Sequence, residues 1–207
     1  MVNSKASKVI FIKSAIALSA AALILSGCGK GGDKSAAVPA DGVEVKIGHV
    51  APLTGPIAHL GKDNENGARL ALEEINKAGL TIDGKKVVLT LVPEDDAEDP
   101  KTATQVAQKL VDAKVAGVVG HLNSGTSIPA SKIYSDAGIT QISPSATNPD
   151  YTKQGFKTTY RLVATDAQQG PALGNYVAKT LKAKTVAIID DSTQYGKGLA
   201  DEFEKTV

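Results

Sequence analysis

Val115-Ala116-Gly117-Val118-Val119-Gly120-His121-Leu122-Asn123-Ser124-Gly125-Thr126-Ser127 is the stretch on which the fold turns. Its first five residues are uncharged and rich in valine, and the run is too short for a helix. Such a segment reads as a central strand of a parallel sheet covered on both faces. A loop of glycines and hydroxyls follows, and helical spacing takes over around residues 128–137 until Gly138 stops it. Residues 139–143 are again strand-like. Strand, loop, helix and strand in this order define a βαβ unit.

The same alternation extends in both directions. Upstream, residues 45–51 form an apolar strand that Pro52-Leu53-Thr54-Gly55-Pro56 turns into a loop. Ala68, Ala71, Leu72 and Ile75 then mark one face of a helix capped by Gly79, and Asp83-Gly84 turns the chain into a strand at 87–92. Asp99-Pro100 reads as an N-cap followed by an N1 proline, with Ala103, Val106, Ala107, Leu110 and Val111 as the buried stripe of the next helix. Downstream, a strand is expected at 158–163 and a helix carrying Leu173, Tyr176, Val177 and Leu181. A further strand is expected at 186–189, then a last helix holding Leu199 and Phe203. The expected fold is α/β, a doubly wound, mostly parallel Rossmann-like sheet with helices on both faces.

The first residues have a different character. Lys5, Lys8 and Lys13 precede an uncharged apolar run at 14–25, and Ser26-Gly27 leads to Cys28, the single cysteine of the 207 residues. A basic start, a short apolar region and small residues at a cut site make a secretory leader, too short for a bilayer that needs about 20 apolar residues. Residues 1–27 are thus expected to be a signal peptide. The small pair before Cys28 resembles the bacterial lipobox, which implies lipidation of that cysteine and a lipid-anchored, exported protein. Residues 28–43, rich in Gly, Ser, Ala and Pro, suit a flexible tether.

Residues 1–27 hold three lysines and no acid. Of 23 Lys+Arg and 22 Asp+Glu, the remainder keeps 20 and 22, a net charge of −2. That balance carries no footprint for nucleic acid. One cysteine allows neither a disulfide framework nor a thiolate metal site. With no Trp and 4% aromatic residues, the core must be built from Val, Ile, Leu and Ala.

In open α/β sheets ligands sit beyond the carboxyl ends of the strands, which selects the loops at 52–62, 94–99, 120–127, 144–150 and 190–198. The loop from Gly120 to Gly125 has the glycine spacing of a phosphate-binding loop, but Thr126 stands where that motif needs Lys. Backbone N–H groups and hydroxyls at a helix N-terminus suit a single anion such as a carboxylate. Pro144-Ser145-Ala146-Thr147-Asn148-Pro149 adds hydroxyls and a carbonyl, so the two loops together suit a carboxylate beside an ammonium, as in an amino acid. On residue chemistry alone, an equal reading makes Ser124 and Thr147 helix caps.

Gly120-His121-Leu122-Asn123-Ser124, Ile142-Ser143-Pro144-Ser145-Ala146-Thr147, Asp166-Ala167-Gln168-Gln169-Gly170-Pro171 and Gln194-Tyr195-Gly196-Lys197-Gly198 resemble the leucine/isoleucine/valine-binding proteins of ABC importers. So do Pro52-Leu53-Thr54-Gly55-Pro56 and Asp95-Asp96-Ala97-Glu98-Asp99-Pro100. The resemblance implies a type I periplasmic binding protein whose two Rossmann-like lobes close on a ligand. It places an N-terminal ligand-binding lobe at 44–164 and the start of a second, incomplete lobe at 165–207, because family members exceed three hundred residues. It implies that Ser124 and Thr147 donate to an α-carboxylate, and that the Ser145 carbonyl and the Thr147 hydroxyl accept from an α-ammonium. Leu122 and Asn123 would line the side-chain pocket, Tyr195 would reach in from the second lobe, and Asp166 would be an acid beside the cleft. Leu60 stands where an aromatic is common, and Asn123 is polar where an apolar residue is expected. The implied partners are a free branched-chain or similar amino acid and membrane-bound ABC permease subunits, with no cofactor.

Other functions fit less well. An amino-acid sensor or receptor would use the same fold. An α/β hydrolase would need Gly-x-Ser-x-Gly, and Ser124 lacks the first glycine. His49, His59 and His121 are scattered, and the pairs Asp95-Asp96 and Asp190-Asp191 are read as loop and cap residues rather than as metal ligands. No catalytic residue or metal site is expected, and no Gly-x-Gly-x-x-Gly follows a strand.

Overall fold

β1 (Val43–Ala51) runs between β3 (Lys85–Asp95) and β4 (Gly117–Gly120), parallel to both. The computed structural model describes residues 42–207, all within one compact unit. Cys28, the expected leader and residues 28–41 of the expected tether lie outside the described residues, while Val43 already belongs to β1. The sheet continues through β5 (Thr140–Ser143) to β6 (Thr159–Arg161), and a two-residue β2 (Thr81–Ile82) pairs antiparallel with β3 at the other edge. The strand order is β2-β3-β1-β4-β5-β6.

The chain leaves β1 toward one edge and returns past it to build the other. Right-handed crossovers then place α1 (Ala58–Ala78) on one face, and α2 (Pro100–Asp112) and α3 (Ser124–Asp136) together on the opposite one. The reversal between β1 and β4 is a topological switch point, where the loops leaving two adjacent strands diverge and open a crevice.

Local chemistry explains the elements. Asp99 caps α2 by accepting from Thr102 N–H at 2.6 Å, with Pro100 at the first helical position as the sequence predicts. Gly79 closes α1 in the left-handed region at φ 83°. The core between the sheet and the α2–α3 layer is Val50, Ala107, Leu110, Val115, Val118, Ala130, Tyr134 and Ile139, aliphatic as the composition demands except for Tyr134.

Beyond β6 the chain forms α5 (Asp166–Asn175), one π-helical turn at Tyr176–Thr180, and α6 (Gln194–Glu204); a single turn, α4 (Asp150–Lys153), precedes β6. The helix expected around Leu173–Leu181 therefore forms, but with a change of winding at Tyr176. The strand expected at 186–189 does not form. The run is apolar enough, but no strand among the described residues lies beside it to accept its backbone hydrogen bonds, and Ile189 is 93% exposed. A strand exists only in a ladder.

Candidate functional site

Four strand ends and one helix start converge on a cavity of about 730 Å³. The loop after β1 contributes Ile57 and, from α1, Leu60. The loop after β3 contributes Glu98, and α2 adds Pro100. Leu122, Asn123, Ser124 and Gly125 enter from the β4–α3 connection, and Ser145 from the loop after β5. Asp191, Ser192 and Thr193 with Gln194 and Tyr195 close the opposite side. Five of the seven residues named from sequence thus come together: Leu122, Asn123, Ser124, Ser145 and Tyr195. The lining holds no lysine, arginine or histidine, so an anion here must rest on N–H groups and hydroxyls.

The β4–α3 loop is held from below by buried polar side chains. His121 is fully buried; its Nδ1 donates to Asp96 at 2.8 Å, and with that tautomer Nε2 accepts from the Tyr134 hydroxyl at 3.1 Å. Burial pushes the Tyr134 phenol well up, which keeps its proton in place. The His121 carbonyl accepts from Ser127 Oγ at 3.1 Å and from Ser143 Oγ at 2.7 Å. Ser143 Oγ in turn accepts from the N–H groups of Ser145 and Ala146. One imidazole and two serines thereby tie together the loops after β3, β4 and β5.

Ser124 is not the cap of α3. The N-cap is Asn123, without a side-chain cap bond, and Ser124 Oγ accepts from Asn148 N–H at 3.2 Å. That contact leaves the Ser124 proton available to an acceptor. Ser145 Oγ donates to the Leu122 carbonyl at 2.8 Å. Thr147 is not a cap either, since α4 starts after Pro149, and its Oγ1 is buried without a hydrogen bond of good geometry. Thr147 lies outside the cavity lining.

Asp166, expected beside the cleft, is fully buried and also outside the lining. Its N–H donates to the Thr147 carbonyl at 3.0 Å, and a Cβ added at Gly198 of α6 would sit 3.3 Å from Asp166 Oδ2. Burial pushes its carboxyl above the ordinary value, against the lowering effect of the Thr147 hydroxyl and Arg161. Asp166 therefore sits where α5 meets α6. The two helices pack closely: a Cβ at Gly170 would lie 2.7 Å from the Glu202 backbone and 2.8 Å from Phe203 N. Asn148 Nδ2 adds a bond of 2.9 Å to the Gln194 carbonyl, so the first turn of α6, with Tyr195, is tied to the loop after β5.

Sequence reasoning flagged the loop after β3 but not Glu98 within it, nor Asp96, His121 and Tyr134 as a unit. Ala97 and Glu98 are both left-handed, at φ 49° and 61°. The Asp95 and Asp96 side chains hold this turn by accepting from Ala97 N–H at 2.8 Å and Glu98 N–H at 3.1 Å. The Asp-Asp pair was the available signal, because such side chains bond backbone two residues on.

A model of the family described as periplasmic binding protein matches residues 44–207. The chain belongs to this family, a class of binding proteins rather than enzymes. It is 45% identical over 162 residues to a Leu/Ile/Val-binding protein homolog of Brucella abortus, covering 78% of this chain and 43% of that protein. It is also 45% identical over 163 residues to the leucine-, isoleucine-, valine-, threonine- and alanine-binding protein of Pseudomonas aeruginosa, covering 79% and 43%. Among solved structures it resembles the branched-chain amino acid transporter substrate binding protein LivJ of Streptococcus pneumoniae in complex with isoleucine. There the TM-score is 0.72 and the identity 36%, over 79% of this chain and 47% of that one. The chain thus spans less than half the length of the relatives it matches.

Proposed function

We propose that this chain provides one side of an amino-acid site in the substrate-binding component of an ABC importer. The observation that carries this reading is the cavity at the switch point, where hydroxyls and the N-terminus of α3 stand in for cationic side chains. A helix N-terminus with free hydroxyl protons suits a carboxylate. Following the family resemblance, Ser124 and Thr147 donate to the α-carboxylate, the Ser145 carbonyl and Thr147 hydroxyl accept from the α-ammonium, and Leu122 and Asn123 meet the side chain. The Thr147 role requires its hydroxyl, buried behind the lining, to turn into the cavity. Tyr195 approaches from the start of a second lobe at 165–207, with Asp166 holding α5 against α6 behind it. The resemblance to proteins named for leucine, isoleucine and valine supports an aliphatic or similarly small side chain. The ligand is passed to permease subunits in the membrane. Export through the leader at 1–27 and lipidation of Cys28 would hold the protein at the membrane by the tether. Mass spectrometry of the mature protein tests that step, an acylated Cys28 at the N-terminus being the expected result.

The main test is calorimetry on the intact protein with leucine, isoleucine, valine and threonine. Hydrogen bonds to charged groups contribute about 1.5–3 kcal/mol, so Ser124→Ala weakens binding about tenfold or more. Thr147→Ala, which removes contacts to both charged ends, weakens it further. Unchanged affinity in both variants would remove these hydroxyls from the site.

A further inference from the structure

Glu98 and Asn123 form a corner of the cavity in which the acceptor positions of their side chains outnumber the donors. Asn123 Nδ2 donates to Glu98 Oε1 at 3.3 Å. Because a carboxylate only accepts, the amide must turn its nitrogen toward Glu98, which leaves Asn123 Oδ1 buried and without a partner. Among the described residues, Asn123 gives the Glu98 carboxylate its only hydrogen bond, although an ionised carboxylate has about four acceptor positions. Asp191, the other acid in the lining, is differently placed: its Oδ1 already accepts from Thr193 N–H and Oγ1. The walls beside the corner, Ile57, Leu60, Pro100 and Leu122, are apolar and offer no side-chain donor.

Resting on the reading of this cavity as an amino-acid site, we propose that Glu98 and Asn123 determine specificity. They favour a small amino acid whose side chain carries a hydrogen-bond donor, of which threonine is the type, over an aliphatic side chain of the same shape. While the cavity is open, water satisfies Glu98. A ligand that displaces the water must replace its hydrogen bonds, because a desolvated carboxylate without a donor is costly. A side-chain hydroxyl does so and a methyl does not. Sites built around a buried polar group discriminate strongly against ligands that leave it unpaired. The same carboxylate repels acidic side chains, so aspartate and glutamate are excluded.

Threonine and valine are close to isosteric, so the ratio of their dissociation constants isolates the hydroxyl. Titration calorimetry on the intact wild-type protein is expected to show threonine binding at least fivefold tighter than valine. Asn123→Leu and Glu98→Ala should each bring the ratio to one or below by improving valine and weakening threonine. Valine binding tighter than threonine in the wild type overturns the proposal and leaves the amino-acid site standing. So does a ratio that neither variant moves. Absence of binding by valine, threonine, leucine and isoleucine alike overturns the amino-acid reading, and this inference with it. The wild-type ratio needs no variant to fold.

Discussion

Two segments of this chain are written in nearly the same way and end in different structures. Residues 115–127 and 186–198 each run from a short apolar stretch with β-branched residues through a polar turn into a helix that starts on hydroxyl and amide residues. The first becomes β4 between two parallel neighbours, and its loop rests on His121, Asp96, Tyr134 and Ser143, all fully buried. The second stays irregular as far as α6, whose N-cap Thr193 nonetheless accepts from Gly196 N–H at 2.9 Å as the sequence pattern requires. Helix starts are local and form from local chemistry. Strands are not local, and an apolar run without a ladder remains exposed chain.

The largest effect that separates the two regions comes from breaking the support under the first loop. His121→Ala removes the donor to the buried Asp96 Oδ2 and leaves a cavity where the imidazole was, together a loss of about 3 kcal/mol or more. Ile189→Ala, in the corresponding stretch of the second region, should change stability by less than about 0.5 kcal/mol. Urea unfolding of both variants measures the contrast, and equal losses would mean that the two regions are equally ordered.

A smaller effect should arise where the second region attaches to itself. Gly170→Ala drives a methyl group into the α6 backbone, which costs about 1–3 kcal/mol if α6 shifts. Hydrogen exchange should accelerate in α6 while β1, β3 and β4 remain protected. Loss of protection in both regions would show that α5–α6 packing also supports the sheet.

Two titrations sharpen the contrast further. Asp166 has its folded pKa raised above the ordinary 3.8, chiefly by burial. Between 3.8 and the raised value the folded chain binds more protons than the unfolded one, so stability from this group falls as pH rises through that window. Asp166→Asn should therefore raise the melting temperature at neutral pH, with the gain vanishing below about pH 3.8. His49, on β1, has its folded pKa lowered from 6.5 by burial, against the Val119 carbonyl that its Nδ1 bonds at 3.0 Å. The unfolded chain then takes the proton first, and stability falls as pH drops below about 6.5. His49→Gln should flatten that part of the profile, the smallest of the four effects, measured by thermal melts from pH 7 to pH 5.

Much of the fold was legible because its signals are short-range. The Asp99-Pro100 start, the Gly79 stop and the apolar stripes of α1 and α2 depend on residues within a turn or two of each other. The strand run at 115–119 named a central strand, although its ladder starts at Gly117. The site was half legible. Loops at strand ends could be chosen by rule, and the hydroxyls of Ser124 and Ser145 lay in them. The cap reading of Ser124 failed because its hydroxyl bonds Asn148, on another loop, rather than its own helix.

The sequence by itself determined the alternation of strands and helices, and with it a parallel sheet whose loops gather at one end. It also determined which residue types stand in those loops. Only the tertiary structure decided which of them meet. Asp96 and His121 are 25 residues apart, as are Glu98 and Asn123. They become neighbours because the β1–β3 register sets Ala51 against Asp95 and the β1–β4 register sets Val50 against Gly120. Pairing energies accumulate along whole ladders and vanish where a neighbour is missing, as they do at residues 186–189.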